Sequence, residues 1–247
     1  MKLPRVFLIA ILFATAAARA DLTIVQKVEG DKGANDVTMK VKGNRARVDV
    51  TPQITTILDA QSGELMTIFH DQKKVMRISG ERAKAMADMA QAMSKDVMPS
   101  NEPPKATGKK QKVSGYETQE YATVTKKAHT SYWVATDYPQ YKEIMKQMSV
   151  LQSGAFAALR KSLPNFQELP GLPLRTEVKV DGQNQMTSTI QSVDLSPVPD
   201  SAFEIPAGYS EMKLPDFLGG KGAPGQERTP PGRACCSPRV HRGGGDC

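Results

Sequence analysis

Few residues in this chain have types and spacings that could do chemistry. Between Asp21 and Leu218 there are two histidines, His70 and His129, and no cysteine. Each histidine sits at one end of a strand-like run, where a surface position is the ordinary reading. Asp49 and Asp59 fall in runs that could be neighbouring strands. A carboxylate pair works as acid and base only where its surroundings drive the two pKa values apart, and nothing in the local sequence marks such a pocket. The chain has no Gly-x-Ser-x-Gly elbow, no His-Glu-x-x-His helix and no phosphate-binding glycine loop. Cys235, Cys236 and Cys247 lie with His241 near the C-terminus, at a spacing that fits no familiar zinc pattern. No catalytic residue, cofactor or metal is expected, and the chain does not read as an enzyme.

The methionines are more informative. Met86, Met89 and Met93 fall with Ala90 and Val97 on one stripe at helical spacing, and Ile144, Met145 and Met148 fall with Tyr138, Tyr141 and Leu151 on another. Methionine is flexible and polarizable, so it fills irregular cores and also lines surfaces that adapt to varied apolar ligands. In the first use the two stripes pack against a sheet and nothing more. In the second they line a cavity for a lipid acyl chain, with Trp133, the only tryptophan, in the same ligand-binding set.

These helices need a platform, and the sequence supplies one. Val37, Met39 and Val41 alternate with polar residues, Gly43-Asn44 reverses the chain, and Ala46, Val48 and Val50 alternate in turn. A period of two is the mark of a strand, and a glycine beside an asparagine suits a tight hairpin. Strands are expected over 22–29, 37–42, 45–50, 54–59, 65–70 and 75–78. The last three are apolar on both faces, so something must cover each face. A helix is expected from Gly80 to Met98, a mobile loop from Ser100 to Lys112, and strands over 112–125 and 129–136. A second helix follows, capped by Asp137 with Pro139 in its first turn, and Phe156 to Leu163 continues it as a separate segment. Strands over 174–180 and 186–195 turn at Asp181-Gly182, and Phe203 to Pro206 is expected as a last edge strand.

The formal net charge of +7 is carried largely by the ends. Residues 21–218 hold 25 basic and 24 acidic residues, so the body is close to neutral and does not look like a nucleic-acid binder. Lys2 and Arg5, the apolar run Val6 to Ala17 and the small-x-small site Ala18-Arg19-Ala20 read as a signal peptide. The run is short for a span of about 20 residues. A mature chain starting at Asp21, soluble and monomeric, is expected outside the cytoplasm, in the periplasm if the source is a Gram-negative bacterium. The body, residues 21–218, is expected as a single domain. The last 29 residues contain eight glycines and four prolines and read as a disordered basic tail; an altered reading frame or a non-native extension is expected there in preference to a metal site.

Several segments in order carry a resemblance. Val41 to Asp49 precedes Thr55 to Asp59 and Ser62 to Met66; Ser114 to Glu117 precedes Tyr132 to Ala135; Phe203 to Tyr209 closes the domain. This order resembles an exported bacterial family of unknown function that is similar in turn to the LolA/LolB-type lipoprotein carriers. The resemblance covers roughly residues 21–213. It implies an α+β fold: a strongly curved antiparallel sheet, a half-open barrel, with two or three helices covering its concave face, which in the carriers binds acyl chains. It also implies that Arg47, the better match to the arginine that holds the carriers' lid closed, belongs to the site; a solvated or salt-bridged strand arginine is the alternative. Two function classes follow. One is a carrier for a lipid or a lipoprotein acyl chain. The other is an envelope protein that binds another protein and has a closed core.

Overall fold

The computed structural model describes residues 21–31, 33–93, 103–149 and 168–212, all within one compact unit that ends at Leu214. Six strands come first: β1 (Leu22–Gly30), β2 (Gly33–Lys42), β3 (Arg45–Thr51), β4 (Ile54–Asp59), β5 (Leu65–Phe69) and β6 (Lys74–Ile78). Each pairs antiparallel with the next, because alternating side chains and connections of two to five residues leave hairpins as the shortest way to satisfy the backbone. Gly43 takes a φ of 58° between β2 and β3, a left-handed value that suits glycine. The helix α1 (Gly80–Met93) leaves β6 directly. Its first residue lies against the turn before β5: a Cβ on Gly80 would meet the Ser62 carbonyl oxygen at 3.0 Å.

The second half supplies β7 (Lys105–Val113), β8 (Tyr116–Val124), β9 (Ala128–Ala135), the helix α2 (Tyr141–Met148), β10 (Leu172–Val180), β11 (Gln183–Asp194) and β12 (Ser210–Met212). All twelve strands form one open sheet in the order β12-β6-β5-β4-β3-β2-β1-β11-β10-β9-β8-β7. Every pairing is antiparallel except β12 with β6. The first strand is thus central, held by β2 on one side and by β11 on the other.

The register sorts side chains to two faces. Leu22 and Ile24 share one face with Met39, Val41, Ala46 and Leu58. The helix α2 packs over this face from β10 to β2 and buries Ile144 and Met145 in a cluster with Leu22, Ile24, Val41, Val134 and Leu172. Full burial is worth roughly 1.5–3 kcal/mol for each large apolar side chain. Tyr132, 1% exposed, belongs to the same cluster, and burial pushes its phenol up to about 12.

Four expectations are corrected. Lys105 to Lys112 is strand, not loop: an edge strand has only one partner to satisfy and no core face to fill, so lysines and a glycine are tolerated there. The segment around Phe203 is no edge strand; Asp200–Phe203 is a 3-10 helix, and the last strand is β12. Asp137 and Pro139 precede α2, whose N-cap is Gln140 in a left-handed conformation without a side-chain cap bond. The first helix does not bury Met86 or Met89 on the sheet: they are 36% and 57% exposed. Between Gly80 and Met93 it carries no aromatic or branched aliphatic residue, whereas α2 brings Tyr141 and Ile144 with its methionines. The second segment of the second helix and the C-terminal tail lie outside the described residues.

A register shift between Ala106 and Lys110 in β7 brings Thr107 and Lys109 onto the buried carboxylate of Glu120. Thr107 Oγ1 donates to Oε2 at 2.7 Å and Ser131 Oγ to Oε1 at 2.6 Å, while Lys109 Nζ lies 3.2 Å away. Burial raises the Glu120 pKa, but the Ser131, Thr107 and Lys109 contacts outweigh it, so the carboxyl sits below its ordinary value. A lowered folded-state pKa means that the stability Glu120 contributes is complete above the unfolded value, about 4.3, and is lost as pH falls through the folded one. Glu120→Gln should therefore flatten the acid side of a stability-against-pH curve measured by urea melts.

Candidate functional site

Strands β3 to β6 differ in how their two faces are covered. The face carrying Arg47, Thr55, Ile57, Ile68 and Val75 is sealed by the chain between β11 and β12. Val198 and Phe203 from this C-terminal strap are buried against Ile57, Ile68 and Val75. Polar contacts fasten it. Asp21 accepts the Val198 N–H at 2.8 Å, Lys42 donates to the Val198 carbonyl at 2.7 Å, and Arg47 donates to the Ala202 carbonyl at 2.8 Å. Arg45 pairs with Asp200 and stands 4.9 Å from the Phe203 ring centroid. The Arg45 contact, then those from Lys42, hold the Asp200 carboxyl below the usual range.

Beneath the strap runs a continuous hydrogen-bonded row. Arg47 Nε and Thr55 Oγ1 both donate to Asp49 Oδ1, at 2.9 and 2.7 Å. Thr55 has spent its only proton, so its oxygen accepts from His70 Nε2 at 2.9 Å. His70 Nδ1 then accepts from the Tyr209 hydroxyl at 2.9 Å. Thr55 is 1% exposed, so its hydroxyl is closed to a substrate. The row ties β3, β4 and β5 to the strap.

The other face of the same strands carries Val48, Val50, Ile54, Leu58, Leu65, Phe69 and Met76 in register, with Met39 of β2 beside them. Seven of these eight are half-buried and Val50 is 38% exposed. A run of large apolar side chains across five strands that stays partly open is the feature of this chain best suited to bind something. A separate cleft of about 290 Å³ opens at β7–β9 between Lys105, Thr107, Val124 and His129.

The residues expected from sequence fall into three places. Trp133, Ile144 and Met145 are sealed in the core, and Met148 packs against that core, as Met39 and Leu58 do. Met86 and Met89 are exposed on α1, and Met93 ends that helix. Arg47 is on the strap side, opposite α2, where it holds the strap and Asp49. Asp49 and Asp59 are not a pair: Asp59 lies across from Arg45 and accepts the Gln61 and Ser62 N–H groups of its turn. The apolar residues of β5 and β6 were not expected in a site; their signal was the loss of alternation in those strands. Among the described residues no group of three or more His, Cys, Asp or Glu could hold a metal, and no helix is long and apolar enough to cross a membrane.

Among the described residues an open, mostly antiparallel sheet with two α-helices and a C-terminal strap thus defines the class. The chain belongs to the DUF4412 family, a domain of unknown function whose model matches residues 21–209. None of the curated proteins matches it. Among solved structures it is similar to an uncharacterized conserved protein from Thermus thermophilus, at 7% identity and TM-score 0.46, over 79% of this chain and 91% of that one. It is also similar to an outer membrane lipoprotein-sorting protein domain from Vibrio parahaemolyticus, at 9% identity and TM-score 0.30, over 76% and 90%. A match to PNGF-II, at 12% identity and TM-score 0.38, covers 78% of this chain but 31% of that one, so the chain spans under a third of that protein's length.

The polar row sets a stability expectation. Thr55→Val leaves the Asp49 oxygen and the His70 N–H short of a partner in a buried place, at a cost of about 1–3 kcal/mol. Tyr209→Phe removes one hydrogen bond at the strap's end and should cost about 1 kcal/mol. Urea melts of the two variants should rank them in that order.

Proposed function

We propose that this chain is a non-enzymatic, exported protein that binds a hydrophobic ligand, a lipid or the acyl chain of a lipoprotein, on the apolar face of β2–β6. One observation supports this best: β3 to β6 bury one face, with its polar row, under the strap and leave the other, more apolar face half-open. Five strands about 4.8 Å apart give a strip roughly 19 Å across, on the scale of an extended acyl chain. The sheet, curved as a half-barrel, would make that strip concave. Met148, which packs against the same core cluster as Met39 and Leu58, forms its rim at α2. Met86 and Met89 extend from the β6 side, where α1 offers adaptable, exposed methionines. Trp133, Ile144 and Met145 back the site from within the core, and Arg47 keeps the strap in place behind it. The mature protein acts in the periplasm or outside the cell after cleavage near Ala20. Asp21 would then be the first residue, and its carboxylate already holds the strap.

A second reading has its own support. Trp133, Ile144 and Met145 are packed with little exposure, so the interior under α2 is closed. A protein-binding envelope module needs no more than that. The two readings separate on ligand uptake. Delipidated protein titrated with a fluorescent fatty acid should show saturable binding, and mass spectrometry of natively purified protein should show a lipid. Phe69→Glu places a charge in the strip and should weaken binding at least about tenfold, roughly 1.4 kcal/mol, with the fold retained by circular dichroism. Absence of saturable uptake would favour the closed module.

A further inference from the structure

The charge of the folded body is unevenly placed. Residues 105–135, which form β7, β8 and β9, hold six lysines (Lys105, Lys109, Lys110, Lys112, Lys126, Lys127) and two acids. The remainder of residues 21–218 holds 19 basic and 22 acidic residues. One of the two acids, Glu120, is buried, which leaves Glu117 as the single exposed carboxylate of this meander. All six lysines are exposed. β7 is the free edge of the sheet, and Lys126 and Lys127 form the turn between β8 and β9 at the end where β7 begins. Lys179 of β10 lies opposite His129 beside that turn, and the exposed Asp181, whose N–H donates to the Lys127 carbonyl at 2.8 Å, is the one acid that joins them there.

Lysines on an edge strand guard against pairing with another sheet. That accounts for part of β7 but not for Lys126, Lys127 or Lys179, which are not on an edge. The patch contains no arginine. Arginine makes bidentate contacts to particular carboxylates and phosphates, whereas lysine is a compact, hydrated point charge suited to a diffuse field. Val124 stands next to the turn lysines and is 67% exposed, an apolar side chain without cover among charges. Lysines around one bare aliphatic group suit a flat anionic surface with an apolar interior below it.

We propose that β7 and the β8–β9 turn are an electrostatic docking surface for an anionic lipid bilayer. The assignment does not depend on what the apolar strip binds, and its test uses no acyl ligand. Full-length mature protein is mixed with phosphatidylglycerol-containing vesicles and with pure phosphatidylcholine vesicles, and the bound fraction is read by flotation at low and high salt. The protein should bind the anionic vesicles alone and be released by salt. Lys110→Gln, Lys126→Gln and Lys127→Gln together should weaken binding by about fivefold per lysine. Lys27→Gln, Lys84→Gln and Lys142→Gln, which leave the same tail and remove the same charge elsewhere, should leave most of the binding intact. Equal binding to both vesicles, no binding to either, or an equal loss in both triple variants overturns the proposal; in the last case the field belongs to the whole chain. Retention on an acidic protein or nucleic acid without vesicle binding overturns it as well.

Discussion

Strands β4 to β6 are apolar on both faces, and an antiparallel sheet can leave only one face wet without cost. Much of the described architecture follows from how that demand is met. The strap meets it on one side with Val198 and Phe203. Because it has few large apolar residues, it is fixed by directed polar contacts: Asp21, Lys42 and Arg47 each satisfy one of its backbone groups. Arg47 serves this purpose better than lysine would, since its planar fork reaches Asp49, Thr55 and the Ala202 carbonyl together. On the other side the helix α2 packs mainly on β10 and β2, and the apolar side chains of β3 to β6 keep part of their surface. The same physical demand thus produces a sealed face and an open one.

Much of the sheet was legible in the sequence. β4 begins and ends where the alternation of Ile54 to Asp59 places it, and the Gly43-Asn44 and Asp181-Gly182 turns sit where those dipeptides predict. Such features are set by local sterics and by the period of two. What was not legible depends on contacts distant in sequence. β7 has the composition of a loop and becomes a strand because β8 offers a ladder. The strap has the composition of a strand near Phe203, but Pro199 and Pro206 interrupt pairing and the phenyl ring turns down onto β4 and β5 instead.

The candidate site divides in the same way. The stripe of α2 was visible, since its spacing of three and four reports a buried face. The stripe of α1 has the same spacing, yet the burial differs. Periodicity tells which residues share a side and says nothing of whether a partner exists for that side. His70 and Tyr209 show the complementary failure. They are 139 positions apart and meet in one hydrogen bond, a pairing no local pattern encodes. The open strip had a signal in the paired apolar faces of β5 and β6, but cover and exposure give the same sequence pattern until the cover is located.

The central position of β1 constrains how the chain can assemble in time. The first six strands can zip up as successive neighbours while the molecule is being made. The free side of β1, however, stays an unpaired row of amides and carbonyls until β11 arrives more than 150 residues later. Contacts of such long sequence separation are slow to form. A polypeptide with this topology therefore remains an unfinished sheet until β11 has been made, with a long sticky edge open to mispairing in the meantime.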